Sequence, residues 1–277
     1  MRKWTVSPIC RRSHNATNEA TEHDNRFHLE GVTRIMNTVS NFASSGGLGE
    51  AAAWLCLRED IYVALTSQLP IRTSLENFRD SITLRRNDDS AWANKMVLLL
   101  AELLNGIFGE TSQRSVIARI EAEILEWERS KPSSFQPILY QPRSAAEGRY
   151  FPELWMLASH HAVGLQYYHI SQIVLDVSRQ RTSTKLYEHM REHRAIERKV
   201  RKHLLVVVGL AKSNQKAENA LYTARHCLSV WGGSLHKKTD QHAALLFLRD
   251  MERRTGWRMT KTIDELMFHW EEDSEDD

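Results

Sequence analysis

The chain has 277 residues, with 37 Lys and Arg against 35 Asp and Glu, and carries a net charge of +2 with histidine neutral. Hydrophobic residues are 42% and charged residues 26%, an ordinary globular balance with ample length for a real core in one large domain or two small ones. The near-neutral total excludes polyanion binding by bulk attraction, and three scattered cysteines (Cys10, Cys56, Cys227) exclude a disulfide framework or zinc cluster and fit a reducing compartment.

Residues 1–24 are polar and aperiodic and read as a flexible segment without a secretory signal. Asn15-Ala16-Thr17 has the form of a glycosylation acceptor, which without a leader is chance. From Phe27 to Phe42 the residues Leu29, Val32, Ile35, Met36, Val39 and Phe42 recur at helical spacing. Gly46, Gly47 and Gly49 mark a loop, and "AAAWLCLREDIYVALTSQLP" (51–70) then reads as a helix. Trp54, Leu57, Ile61, Leu65 and Gln68 share one face, Leu55, Tyr62 and Leu69 make a second, and Glu59 and Thr66 are left outside. Pro70 ends the run. Arg58 projects from the edge of the apolar surface, where its head is expected to meet a carboxylate or main-chain carbonyl.

Ser74 is placed to cap a short helix through Leu84, with Leu75, Phe78 and Ile82 inward. Ser90 is placed to cap a helix from Ala91 to Phe108, and Ser112 opens another, carrying Val116, Ile117, Ile120, Ile124 and Trp127 to about Ser130. Pro132, Pro137 and Pro142 break the pattern, so 131–151 reads as an internal linker. "PELWMLASHHAVGLQYYHISQIVLDVS", from Pro152, is apolar on most faces and reads as a central helix buried all round. Residues 181–203 carry eight Lys and Arg against three Glu and lead into "LLVVVGL", read as the buried end of a helix for want of a partner strand. Helices at about 216–231, 239–255 and 259–271 follow, and the acidic end 272–277 reads as disordered. No run reaches 18 apolar residues, so no membrane span is expected. The sum is an all-α fold: one large array of packed antiparallel helices over 25–271 around a long buried central helix.

Few stretches carry chemistry. "HMREH" (189–193) matches the H-x-x-E-H pattern, in which His189 and His193 would hold zinc and Glu192 would act as base of a metal-dependent hydrolase. Its helix is charged on several sides, which favours a solvated helix. His160, His161, Tyr167, Tyr168 and His169 are candidates for the lining of an effector pocket, against the plainer reading as core residues. His160 and His161 are adjacent and point about 100° apart on a helix, a poor arrangement for one metal. Adjacent His226 and Cys227 likewise do not face each other as a nucleophile pair. "SSGGLG" lacks the preceding strand and the Gly-Lys-Ser/Thr of a phosphate loop. The basic block 181–203 could touch phosphates, but Glu188, Glu192 and Glu197 interrupt it.

Three stretches resemble the fungal-specific transcription factor domain, the ARCA-like regulatory region of fungal zinc-cluster transcription factors. The first is "WLCLREDIYVALTSQLPI" (54–71), with Trp54, Leu57, Arg58, Ile61, Tyr62 and Gln68 as its signature. The second is "ARHCLSVWG" (224–232), and the third is "GWRMTKTIDELMFHW" (256–270), with Gly256, Trp257 and Trp270. The resemblance implies an all-helical regulatory module in the nucleus, or in the cytoplasm if a targeting segment is lacking. It implies no catalysis and no cofactor or metal. The partners it implies are proteins of the transcription machinery or a homodimer partner, with a small-molecule effector as an alternative role. Family members usually begin with six cysteines that bind two zinc ions and read DNA. Here Cys10 is the only cysteine before Cys56, so no sequence-specific DNA binding is expected of this chain, and with no long apolar run no membrane partner is expected either.

Overall fold

A computed structural model describes residues 31, 33–35, 37–38, 46–109, 114–179 and 186–275. The fold is all-α with one small hairpin. The helices are α1 (Gly47–Ser67), α2 (Glu76–Arg79), α3 (Ile82–Arg85), α4 (Asp89–Phe108), α5 (Arg114–Ser130), α6 (Ser159–Ser178), α7 (Leu186–Ser213), α8 (Glu218–Trp231), α9 (Lys238–Thr255) and α10 (Thr260–Glu275). Strands β1 (Leu139–Gln141) and β2 (Glu153–Trp155) pair antiparallel, with Leu139 opposite Trp155. Where the sequence reading draws one domain, contacts divide the chain into two compact units. One holds 137–162 and 175–277, and the other holds the described residues up to 136 together with 163–174.

In the unit built on α1, the first apolar face is core: Trp54, Leu57, Ile61 and Leu65 are buried. Trp54 meets Phe78 edge to face at 5.0 Å. The second face is corrected, because only Tyr62 is buried while Leu55 and Leu69 are exposed. The glycine loop is shorter than expected: Gly46, at φ 77°, is the N-cap and α1 begins at Gly47. Ile82 is exposed to solvent overall, yet its Cδ1 lies 2.8 Å from where a Cβ on Gly46 would stand. Ser74 caps nothing; two short helices stand there, and the Ser81 hydroxyl caps the second by accepting from the Leu84 amide. For α4 the cap is Asp88 rather than Ser90, its carboxylate accepting from the Ala91 amide at 2.9 Å. Ser112 lies outside the described residues, as do most of the expected face of the 27–42 helix and residues 1–24. Ile35, which is described, is exposed.

Among the described residues α4 is long and apolar enough to cross a membrane by length and composition, at mean hydropathy 1.2, but 61% of that stretch is buried inside the protein. It packs against α1, α3 and α5. Glu102 within it is ion-paired to Arg79 at 2.8 Å. Trp127 of α5 donates its indole N–H to the Trp92 carbonyl at 2.9 Å and meets Phe135 edge to face at 5.6 Å. Gly164 permits a close approach here, since a Cβ on it would lie 2.9 Å from Phe135 and 3.2 Å from the Ala93 Cα.

In the other unit, the part of the expected 131–151 linker from residue 137 onward is ordered. It contains β1 and a loop stapled by Arg149, whose guanidinium donates to the Pro142 carbonyl, the Gln141 side chain and Glu147 at 2.7, 2.8 and 2.7 Å. The strand partner that periodicity missed is β2, formed by the start of the apolar segment expected to be helical; α6 begins only at Ser159. The "LLVVVGL" stretch is the buried end of α7, with Leu204, Val207, Val208 and Leu210 fully inside. The hairpin docks on that end: Leu154 donates its amide to Ser213 at 3.0 Å, and Asn214 both accepts from the Met156 amide at 2.8 Å and donates to the Leu154 carbonyl at 2.7 Å. A Cβ on Gly209 would stand 2.3 Å from the Pro152 carbonyl oxygen, so the close contact requires glycine. α10 runs helical to Glu275, which replaces most of the expected disordered tail; only residues 276 and 277 lie outside the described backbone.

Candidate functional site

Among the described residues Arg58 meets neither a carboxylate nor a main-chain carbonyl; its guanidinium donates to the side-chain carbonyl of Asn94 at 2.9 Å. Gln68 leaves the apolar face, taking the left-handed conformation (φ 56°) that caps α1, with its amide on the Ala64 carbonyl. Tyr62 shares a hydrogen bond at 3.2 Å with Tyr167, both hydroxyls buried. Gly256, at φ 74°, ends α9 in the left-handed conformation that glycine adopts without strain. Trp257 is exposed and meets Tyr222 edge to face at 5.9 Å. Trp270 donates its indole N–H to the Gly232 carbonyl at 3.0 Å, and a Cβ on Gly232 would lie 2.4 Å from Leu266.

The expected effector residues all lie on α6 and fall in both units. His160 and His161 belong to the hairpin unit, where their rings meet edge to face at 4.3 Å, and the His161 ring nitrogen Nδ1 accepts from the Ala158 amide at the start of α6. Tyr167, Tyr168 and His169 belong to the other unit. Tyr167 is fully buried on Tyr62, and Tyr168 stacks on Trp127 at 5.9 Å with its hydroxyl pKa raised by burial and then by Glu128. His169 meets the Tyr168 ring at 5.3 Å.

Of the H-x-x-E-H residues, Glu192 and His193 are half-buried on α7, and the side chain of His189 lies outside the described residues. Farther along α7, Glu197 takes His236 as its partner at 2.9 Å. His226 and Cys227 are driven to their neutral forms by burial. The imidazole pKa falls to about 3, from desolvation and then Arg225, and the thiol pKa is pushed far up. A reactive pair needs the opposite, a thiolate beside an imidazolium.

Two features of the hairpin unit are open to a partner. The first is an apolar surface on the hairpin. Ile138, Leu139, Tyr140, Trp155 and Leu157 are all exposed, from 42% for Leu139 to 70% for Ile138, and Leu139 and Trp155 are cross-strand neighbours on one face.

The second is a cavity of about 360 Å³ at the meeting of the hairpin loop with the ends of α7 and α9. Its floor is Leu221, Ala243, Phe247 and Met251, all buried. Its rim carries Tyr150, Lys212, Asp250, Arg253 and Arg254. Arg253 is paired with Asp250 at 2.8 Å. Arg254 makes only a long 3.4 Å bond to the Gln215 carbonyl, and the Lys212 ammonium lies 5.8 Å from the centre of the Phe151 ring. The sequence hid this site because its residues come from four separate segments. The one available signal, Arg253-Arg254 ahead of Gly256, is the ordinary composition of a helix C-terminus.

Fold and site together define a helical protein with an exposed apolar hairpin and a basic-rimmed apolar cavity. A scan against protein-family models, a search of curated proteins and a search of solved structures each give no match.

Proposed function

We propose that the chain is a helical regulatory and interaction domain of the transcription-factor kind its three signature stretches resemble. It acts in the nucleus by binding proteins, without catalysis and without reading DNA itself. The observation that carries the reading is the hairpin surface. Leu139 and Trp155, paired across the strands on one face, are exposed together, with Ile138, Tyr140 and Leu157 exposed nearby, and exposed apolar area of this kind favours a protein partner. The second and third signature stretches also support it, since the Trp270–Gly232 bond joins them into one packed structure.

The test is a reporter assay with the full chain fused to an unrelated DNA-binding domain. Trp155→Glu and Tyr140→Glu, both at exposed positions, should abolish the effect on the reporter while leaving the melting curve unchanged. A reporter that never responds to the fusion defeats the reading. For DNA, a CGG-containing probe and scrambled DNA should compete equally, with weak binding that vanishes as salt rises, because any attraction comes from the 181–203 charges alone. A sequence preference that survives higher salt overturns that part.

A further inference from the structure

We propose that the cavity between the hairpin loop and the ends of α7 and α9 binds a small amphipathic carboxylate. Its apolar body rests on the floor and its charge is held by Lys212 and Arg254. The inference goes beyond the regulatory reading and does not rest on it.

The volume, about 360 Å³, lies at the small end of ligand sites and suits a body of one ring or a short chain. The floor, made by Ala243, Phe247, Met251 and Leu221, offers that body only carbon surface and one thioether sulfur. Charge selects the sign. The rim holds three cations against one acid, and Asp250 is already engaged by Arg253. Lys212 and Arg254 have no carboxylate partner at ion-pair distance among the described residues. Arg254 also reaches the Gln215 carbonyl, so its head lies beside the segment that carries Lys212. Both cations sit in the last turn of a helix, where the helix end stabilises them, and this accounts for their presence without a ligand. It does not account for their converging on one apolar hollow. There a carboxylate would gain two charge-assisted hydrogen bonds while its body leaves water. A phosphate or nucleotide fits poorly, because the floor offers it no polar group.

The experiment is calorimetric titration of the full chain at low salt with three probes of one shape: 4-phenylbutyrate, 4-phenylbutanol and 4-phenylbutylamine. The carboxylate should bind at least about tenfold tighter than the alcohol or the amine. The Lys212→Glu/Arg254→Glu double variant, altered only at exposed side chains, should melt like the parent, lose the carboxylate by about tenfold or more and prefer the amine. Ala243→Phe should fill the floor and stop all three probes. Should that variant fail to fold, Leu246→Glu decides instead, placing a carboxylate at the exposed lip and weakening phenylbutyrate alone. The proposal is overturned if no probe saturates, if the alcohol or amine binds as tightly as the acid, or if the charge-reversed variant binds like the parent. None of these outcomes touches the reporter result, and a silent reporter leaves the titration unaffected.

Discussion

After α1 and after α7 the chain turns into irregular backbone that must find hydrogen bonds, and the two turns find them differently. Beyond Pro70, the amides of Arg72 and Thr73 both point at one oxygen of buried Asp60 at 2.8 Å, and the amide of Ile71 points at the Asn105 side-chain carbonyl at 2.7 Å. Beyond α7, Asn214 takes the Met156 amide just past β2 and gives to the Leu154 carbonyl within it. The difference follows from what each segment presents. The first turn presents three consecutive amides to the acceptors Asp60 and Asn105, and Asn37 then donates to the Arg72 carbonyl and accepts from the Ser74 amide, both at 2.9 Å. A strand presents donor and acceptor in alternation, and only an amide side chain answers both.

The largest effect expected is at the packing beneath the first turn. Trp54→Ala should lower stability by about 3–5 kcal/mol in denaturant titration, because the indole is buried against Phe78. A variant that melts like the parent would show that α1 is not core.

Asp60→Ala should cost about 2–4 kcal/mol, since it strands two amides, one of them buried. Asp60→Asn sharpens the comparison: it keeps a carbonyl oxygen where both bonds fall, so it should recover much of the loss. At the other turn the conservative exchange should do the reverse. Asn214→Asp should be no better than Asn214→Ala, because a carboxylate cannot donate to the Leu154 and Leu210 carbonyls and would repel them. Equal tolerance of Asp and Asn at both positions would remove the distinction.

Gly209→Ala should cost about 1–3 kcal/mol, as the added carbon must displace the Pro152 carbonyl. Amide hydrogen exchange should locate the loss in the hairpin and spare α1.

The smallest effect is on pH. Burial holds the pKa of His226, and more mildly that of His203, below the ordinary imidazole value. His226, at about 3, stays neutral in the folded chain over this range while the unfolded chain takes up protons below about pH 6.5. Stability is therefore full above that value and falls as pH drops from 6.5 toward 5, by about 1 kcal/mol after allowance for partial exposure. His226→Gln should flatten the slope over that window, and an unchanged slope would assign it to other groups.

Much of the helical plan is legible along the chain, because a helix that buries one face repeats its apolar residues every three or four positions whatever it packs against. That rule places Trp54, Leu57, Ile61 and Leu65 inside, separates α4 from α5, and makes "LLVVVGL" a helix end. It fails where another segment decides. Glu153-Leu154-Trp155 is too short to show a strand period, and it becomes β2 only because Leu139–Gln141 pairs with it and Ser213 and Asn214 hold it. Asp60 reads as one more acid on a helix until the chain beyond Pro70 returns to it.

The candidate site lies further from view. The five residues chosen around α6 are neighbours in sequence, yet His160 and His161 belong to one unit and Tyr167, Tyr168 and His169 to the other. Lys212, Ala243, Phe247 and Arg254 share no motif, yet they line one hollow. The sequence by itself determined most of the helices and the main face that α1 buries, since periodicity is local. Only the tertiary structure decided which helix ends meet, and with them where an apolar floor and two cations face the same space. That choice is set by packing between segments far apart in the chain, which no local pattern records.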